Sequence, residues 1–234
     1  MPQAVIFVLS RSGSKQEEKR MNKIFGHDTF FFRFMNQAGN VIIASLLWLV
    51  GCLPVVTIGT STIALYYTTV KSVRRGEGYV SREFFGAYRR NLKNGIPMTI
   101  VFLLLGAVLA VDRLYVDQGQ SAAAAAFSLG YTLLILVVAS MVVYVFPVMS
   151  RFTMSNWECF RLSLLMVFRH LPFTVLMLGM LIASICLVVL IPAPMLFILP
   201  GACCYGQSFL MERLLKKYMA KPQTEEEADK WYYR

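Results

Sequence analysis

The sequence predicts an all-α fold: a polytopic membrane helix bundle of about six transmembrane helices, with two or three interfacial amphipathic helices. The first observation is composition. Residues of the set AVILMFWYC make up 57% of the 234 residues and charged residues 15%, whereas soluble domains average about 45–50% and about 25%. The second is the length of the uncharged stretches, because roughly twenty residues cross a hydrocarbon core about 30 Å thick. These stretches are 94–110, 121–150, 171–191 and 194–211.

The third observation is the distribution of cationic side chains, which indicates how often the chain crosses the membrane. The cations separate best with six spans, at 36–53, 56–72, 95–112, 122–148, 171–191 and 194–212. This arrangement places 22 of the 23 Lys and Arg residues on one side and leaves Arg113 alone on the other. If 57–70 does not cross, the best division is 16 against 7, and moving several arginines across a bilayer is strongly disfavoured. The sequence therefore predicts six crossings, with both termini in the cytoplasm.

The domain organisation follows from these spans. Residues 1–20 join a short apolar run to the polar tail RSGSKQEEKR. No basic region precedes the run, which is too short to span, so no cleavable signal peptide is indicated. We expect a disordered extension over 1–21, with Met21 as an alternative start. A single transmembrane domain over 22–213 and a cytoplasmic tail over 214–234 follow.

The stretch WLVGCLPVVTIGTSTIALYY predicts a tight helical hairpin with a short, polar second arm. Pro54 is expected to end the first helix, because proline lacks a backbone donor and disfavours helix in the preceding residue. Gly59 and Ala64 are expected to admit a neighbouring helix closely, and Tyr66 to lie near the cytoplasmic interface. The hydroxyls expected to bond to carbonyls one turn back are those of Thr57, Thr60, Ser61 and Thr62. The hairpin motif comprises Trp48, Pro54, Thr57, Gly59, Ala64 and Tyr66.

Two cytoplasmic segments have the periodicity of amphipathic helices. In 81–93, Ser81 is placed to cap the helix start, with aromatic and basic residues on opposite faces. In 155–169, Ser155 and Glu158 form a capping-box pattern. The apolar face of this second helix is expected to contain Trp157, Phe160, Leu164 and Phe168. The residues expected at the interface or against a partner are Phe84, Phe85, Arg89, Arg90, Asn91, Trp157, Phe160 and Arg161.

Two roles are open for these helices. They lie in the headgroup layer with their arginines attracted to anionic lipid, or one of them docks on a cytoplasmic partner, and the two roles are compatible. A third aromatic-rich segment, 25–37, is expected to lead into the first span along the interface.

The sequence indicates no catalytic chemistry. It contains no phosphate loop, no HExxH and no GxSxG, and no carboxylate lies near the middle of a predicted span. The five cysteines show no paired CxxC spacing and are typical of small apolar residues in a reduced setting. We therefore expect no enzymatic activity, no catalytic residues, no cofactor and no metal. The placement of the positive charge favours the lipid bilayer over nucleic acid as a partner.

Uncharged polar residues remain within the spans, notably Thr60, Thr62 and Gln207. Such groups commonly bond one helix to another. Alternatively, they line a pathway for a neutral solute such as a sugar.

The hairpin and the segment after it, RRGEGYVSREFFGAYRRNLKNG, resemble the YesL family of bacterial membrane proteins over most of 22–110. The residues that carry the resemblance are Trp48, Leu53, Pro54, Thr57, Ile58, Gly59, Ala64, Leu65, Tyr66, Phe84, Phe85 and Asn91. The resemblance implies a multi-pass protein of the bacterial plasma membrane. Such proteins are often encoded beside ABC importers for oligosaccharides and glycoside hydrolases, and the family has no established activity.

Three functional hypotheses follow. The first is a non-catalytic accessory or regulatory partner of a carbohydrate ABC uptake system, which binds an ABC permease or a membrane sensor subunit. The second is a carrier or channel for a small neutral solute, which requires a polar cavity lined by Thr57, Thr60 or Gln207. The third is a lipid-binding scaffold. The sequence leaves a homo-oligomer open in each case.

Overall fold

The computed structural model describes residues 35–116, 122–152 and 154–218, and these residues form helices and short connections without a β-strand. The all-α helical prediction is confirmed. The helices are α1 (Met35–Gly51), α2 (Ile58–Thr68), α3 (Val80–Val116), α4 (Ala122–Arg151), α5 (Asn156–Arg169), α6 (Leu171–Leu190) and α7 (Pro192–Tyr218). The predicted extension over 1–21, most of 25–37 and the tail beyond 218 lie outside the described residues.

The chain divides into two units, Met1–Gly39 and Asn40–Arg234. Of the first unit, the described residues are 35–39, which form the beginning of α1. All contacts discussed below lie within the second unit.

Three helices are long and apolar enough to cross a membrane: Val80–Tyr115, Phe127–Arg151 and Leu171–Leu190. In α6 only 17% of the most apolar window is buried, so most of its apolar surface is left for lipid. These helices indicate a membrane protein. The count of six crossings stays a prediction, since α1 is shorter and α2 has 11 residues.

The connections from α1 to α2 and from α2 to α3 contain several special backbone conformations. After α1, Pro54 is extended, with ψ of 116°, and a 3-10 turn over Val55–Thr57 leads into α2. Beyond α2 the chain continues as a π-helix, Thr69–Arg74, a conformation found frequently at functional sites. A turn with Gly76 and Gly78 at φ of 71° and 78° then reaches α3; glycine is suited to this left-handed region because it has no Cβ.

The separate interfacial helix predicted over 81–93 is wrong, because these residues begin the 37-residue helix α3. At 1.5 Å per residue α3 is about 55 Å long, longer than a hydrocarbon core. Ser81 lies inside the helix instead of capping it, and Pro97 is accommodated within it. Phe84 is 1% exposed and packs with Ala64 and Leu65 of α2. Phe84, on the aromatic face of this segment, therefore meets another helix of the chain where lipid or a partner was expected.

The second amphipathic helix forms as predicted, as α5. The capping box is present, with the Ser155 N–H donating to Glu158 Oε2 at 3.0 Å. The predicted apolar face is displaced, however, because the buried residues are Cys159, Ser163, Met166 and Val167. Of the residues expected on that face, Trp157 and Phe168 are exposed, and Phe160 and Leu164 are half-buried.

The main core cluster takes buried residues from every helix from α2 to α7, and α4 contributes the most of them. Two tyrosines fill much of it: Tyr66 is 2% exposed, and Tyr144 is fully buried with its hydroxyl 2.9 Å from Thr174 Oγ1 of α6. On the α1 side, the backbone N–H of Gly201 donates to Ser45 Oγ at 2.9 Å and joins α7 to α1. A side chain at Gly201 would meet Ser45 and Val41, so this close approach depends on glycine.

Candidate functional site

The predicted hairpin motif forms a dense contact between α2 and its neighbours. The Gly59 N–H donates to Thr99 Oγ1 of α3 at 3.2 Å, and a Cβ at Gly59 would collide with Thr99 and with the Phe146 ring. Trp48 Nε1 donates to Thr62 Oγ1 at 3.2 Å and joins α1 to α2. Glycine here lets α2 lie directly against α3 and α4.

The hydroxyls of the second arm divide into two groups. Thr57 Oγ1 donates to Pro54 O at 2.7 Å, and Thr62 Oγ1 donates to Ile58 O at 2.8 Å, as expected of polar groups in a span. Thr60 is fully buried and lies against Gly95 of α3; its hydroxyl makes no such backbone bond. Ala64 is also fully buried.

The main finding at this end of the molecule is a buried ionic cluster around Glu212 of α7. Tyr66 OH donates to Glu212 Oε1 at 2.9 Å, and Arg151 Nε donates to the same oxygen at 3.0 Å. Arg151 Nη2 also pairs with this oxygen, and Arg75 Nη2 lies 3.6 Å from Oε2. The side chains of Glu212 and Arg151 are 6% and 2% exposed. We call Tyr66, Arg75, Arg151 and Glu212 the Glu212 cluster.

Tyr66 is therefore buried inside the bundle, and its predicted depth near the cytoplasmic interface stays a prediction. Its ring is buried because its hydroxyl has a charged acceptor inside the bundle, and buried Tyr hydroxyls usually find a partner. The cluster itself was missed at the sequence level. The available signal was that Arg151 and Glu212 each immediately follow a long uncharged stretch.

The π-helix leads directly into Arg75, one of the two cations of the Glu212 cluster. Arg74 Nη1 donates to Ser208 O of α7 at 3.0 Å, and its guanidinium stacks 4.2 Å from the Phe209 ring centroid. Arg75 follows at the end of the π-helix. Burial, and then the neighbouring Arg151, lower the pKa of the Arg75 guanidinium from its ordinary value. Two guanidiniums thus share one carboxylate.

A polar cavity of about 370 Å³ lies between α2, α3, α4 and α5. Arg90 and Asn91, both predicted to face lipid or a partner, line it. The Arg90 guanidinium stacks 5.2 Å from the Tyr67 ring centroid, and Asn91 Nδ2 donates to Ala87 O at 2.8 Å. Its complete lining is Tyr67, Arg90, Asn91, Asn94, Met149, Ser150, Arg151, Phe152, Met154 and Cys159.

A second cavity, of about 380 Å³, is a mainly apolar groove bounded by α1, α2, α4, α6 and α7. Of the residues predicted to line a solute pathway, Thr62 and Gln207 reach it. Gln207 Nε2 donates to Met177 O at 3.4 Å and so also joins α7 to α6. Thr57 and Thr60 are buried elsewhere.

The remaining predicted interface residues lie mostly at the surface. Phe85 is 50% and Trp157 64% exposed, and Arg89 and Arg161 are exposed. Phe160 is half-buried with its ring stacked 5.7 Å from that of Trp157. On α5 the exposed large residues recur at helical spacing around Arg161. This aromatic–basic stripe comprises Trp157, Arg161, Leu165 and Phe168.

In the part of the chain that the structure describes, no three His, Cys, Asp or Glu residues are grouped so as to hold a metal ion. The five cysteines are free thiols.

Residues 41–113 match the protein family described as "Protein of unknown function, DUF624". The match extends from α1 through most of α3 and includes the complete hairpin motif. No curated protein and no solved structure matches the chain.

Proposed function

We propose that the chain is a bacterial plasma-membrane protein of the YesL type that acts without catalysis. In this proposal it is an accessory or regulatory partner of a carbohydrate ABC uptake system. Both termini lie in the cytoplasm, and a permease subunit is the partner. The resemblance to YesL proteins supports the carbohydrate connection, and the DUF624 match covers the segment that carries the resemblance.

The observation that carries the proposal is the aromatic–basic stripe on α5. The opposite face of this helix is buried in the bundle through Cys159, Ser163, Met166 and Val167. The stripe therefore projects from a helix that is held in place and capped at its start. Exposed Trp and Arg side chains on a rigid support are the residue types enriched at binding hot spots.

The lining of the apolar groove favours the role of an accessory partner over that of a carrier or channel. A pathway for a neutral solute needs hydrogen-bonding groups along its length, and the groove is lined mostly by Leu, Ile, Val, Pro and aromatic residues. Two of its polar groups, Thr62 and Gln207, already donate to backbone carbonyls. Sugar flux through liposomes containing the purified chain would instead support the carrier.

Loss of the stripe is expected to abolish binding to the permease. The full chain and a candidate carbohydrate permease, co-expressed and purified in mild detergent, are expected to elute together. The double variant Trp157→Ala with Phe168→Ala should lose the permease, because both side chains are more than half exposed and contribute little to the core. Tyr115→Ala, which removes another exposed aromatic ring far from α5, is the matched control.

Equal recovery of the permease with the double variant contradicts the docking role. If the same variant instead loses affinity for vesicles of anionic lipid, α5 is a headgroup-layer helix. Vesicle binding is therefore measured in parallel.

The proposed orientation predicts a labelling pattern at the two ends of α3. Tyr79 and Tyr115 are 80% and 73% exposed, so a cysteine at either position is accessible and structurally mild. In a background lacking the native cysteines, an impermeant maleimide added to intact cells should label Tyr115→Cys at once. Tyr79→Cys should react only after permeabilisation, and its labelling from outside would reverse the orientation.

A further inference from the structure

The apolar groove bounded by α1, α2, α4, α6 and α7 is suited to an aliphatic occupant. Its described lining contains no Asp, Glu, Lys or Arg and consists mostly of Leu, Ile, Val, Pro and aromatic side chains. The volume of about 380 Å³ is in the range of small-ligand sites. A charged or strongly polar ligand would lose its hydration there without gaining equivalent partners.

Four polar side chains of the lining already have partners within the protein. Thr62 Oγ1 and Ser184 Oγ each donate to a backbone carbonyl of their own helix, at 2.8 Å and 2.7 Å. Tyr66 OH donates to Glu212 at 2.9 Å, and Gln207 Nε2 donates to a backbone carbonyl of α6 at 3.4 Å. Recognition in the groove therefore depends on apolar contact more than on hydrogen bonds.

The groove opens onto the surface that α6 leaves for lipid. Its walls include α4 and α6, two of the three helices that could cross a membrane, and only 17% of the most apolar window of α6 is buried. On the rim, Ile185 is 55% and Val189 76% exposed. On the inner wall, Tyr66 is 2% and Phe146 5% exposed. The groove thus extends from the lipid-facing surface into the bundle.

The groove follows α7 for about the depth of one leaflet. Its lining on this helix runs from Leu196 to Gln207, which is about 17 Å at about 1.5 Å per residue. One leaflet contributes half of a hydrocarbon core about 30 Å thick. α4 and α7 each contribute an internal proline to the lining, Pro147 and Pro200. Proline bends a helix because it removes a backbone hydrogen bond, which gives a physical reason for the space between the two helices.

We propose that this groove binds one acyl chain of a membrane phospholipid. The chain enters from the side, past Ile185 and Val189, and lies along α7 against Phe146 and Tyr66. The headgroup stays at the membrane surface and takes no part in recognition, since the lining carries no charge. The bound chain joins α1 and α2 to α6 and α7, whichever partner the stripe on α5 binds.

The test is photolabelling of the purified full chain in nanodiscs of phosphatidylcholine with a diazirine on the acyl chain. Lipid around the bundle is expected to label exposed residues such as Leu176 of α6, which is 51% exposed. A chain reaches Tyr66 and Phe146 through the groove, because both residues line it and are nearly fully buried. We expect peptide mass spectrometry to find adducts on the outer surface of α6 and on this inner wall.

Two variants of α6 separate the groove from the surrounding lipid. Val188→Phe fills the groove. Val175→Phe is the matched control, the same change at a 68% exposed position of the same helix outside the lining. The adducts at Tyr66 and Phe146 should be lost in Val188→Phe and kept in Val175→Phe, while the outer surface of α6 is labelled in both.

A second filling variant and a second lipid complete the test. Leu196→Phe narrows the groove from α7. Leu196 is 39% exposed, so this variant decides the result if Val188→Phe does not fold. Phosphatidylglycerol with the same labelled chain should give equal adducts on the inner wall, because no charged residue in the described lining distinguishes the headgroups.

The proposal is overturned if the wild type is labelled on the outer surface of α6 alone, the result expected when a second copy or another segment of the chain fills the groove. It is also overturned if the filling variants keep the adducts on the inner wall. Stronger labelling of that wall by phosphatidylglycerol than by phosphatidylcholine contradicts recognition through the chain and indicates a headgroup site.

Discussion

Replacement of Glu212 by glutamine is expected to destabilise the folded protein by about 3–5 kcal/mol, the usual cost of removing one partner of a buried ion pair. The glutamine retains the shape and can still accept the Tyr66 hydrogen bond. The loss is therefore one of charge, because the guanidinium of Arg151, whose side chain is 2% exposed, no longer faces the Glu212 carboxylate. The free energy of unfolding is measured by denaturant titration in mixed micelles.

Glu83→Gln is the matched control for this measurement. Glu83 also forms an ion pair, with Lys71 at 2.8 Å, but the two side chains are 21% and 19% exposed. Solvent screens such a pair, so we expect a loss of at most about 1 kcal/mol. If the two glutamine variants are equally stable, the Glu212 cluster is better solvated than its burial indicates.

Gly59→Leu is expected to cost about 3 kcal/mol or more, the upper part of the range for overpacking a dense contact. Even a Cβ at this position would lie 2.5 Å from the Phe146 ring and closer still to Thr99 Oγ1. A leucine must therefore push α2 away from α3 and α4, and the bond from the Gly59 N–H to Thr99 is lost with it. The melting temperature of the purified protein in detergent reports this effect.

The control is Gly106→Leu, the same change in α3 at a glycine where nothing lies within 4 Å of a Cβ. Glycine in a helix interior is about 0.8–1.0 kcal/mol less favourable than alanine, and leucine ranks just below alanine, so this variant should be as stable as the wild type or more so. A comparable loss at both positions would show that added apolar bulk, and not the α2–α3 contact, is responsible.

Gly59→Leu and Glu212→Gln affect different contacts of the same helix, α2. Gly59 lets the start of α2 lie against α3, whereas Glu212 joins the last turns of α2 and α7 to the end of α4. The carboxyl-terminal ends of α2, α4 and α7 therefore meet. Six crossings with a cytoplasmic amino terminus place these three ends on the same side of the membrane, so the geometry agrees with the predicted topology.

The helices themselves were largely predictable from the sequence. Spans expected at 36–53 and 171–191 correspond to Met35–Gly51 and Leu171–Leu190. A hydrocarbon core rejects charge and requires every backbone group to be bonded within its helix, so the length of an uncharged stretch reflects the length of a helix. The capping box at Ser155 was also predictable from the sequence, because its two residues lie only three positions apart.

The predictions about the surroundings of two apolar helix faces failed for a different reason. The apolar face of 81–93 was expected to meet lipid or a partner, yet Phe84 meets α2. On α5 the buried face is the one with Cys159, Ser163 and Met166, while Trp157 is exposed. Helical periodicity shows that a face is apolar, but it does not show whether lipid or another helix covers it.

The sequence by itself determined the helical class and the approximate bounds of several helices, because each depends on the composition of a continuous segment. Only the tertiary structure decided which groups are buried together. Lipid tails are as apolar as leucine, so helix pairing in a membrane depends on shape and on polar bonds between distant residues. Glu212 and Arg151 lie 61 residues apart, and a separation of that size leaves no local pattern that relates one to the other.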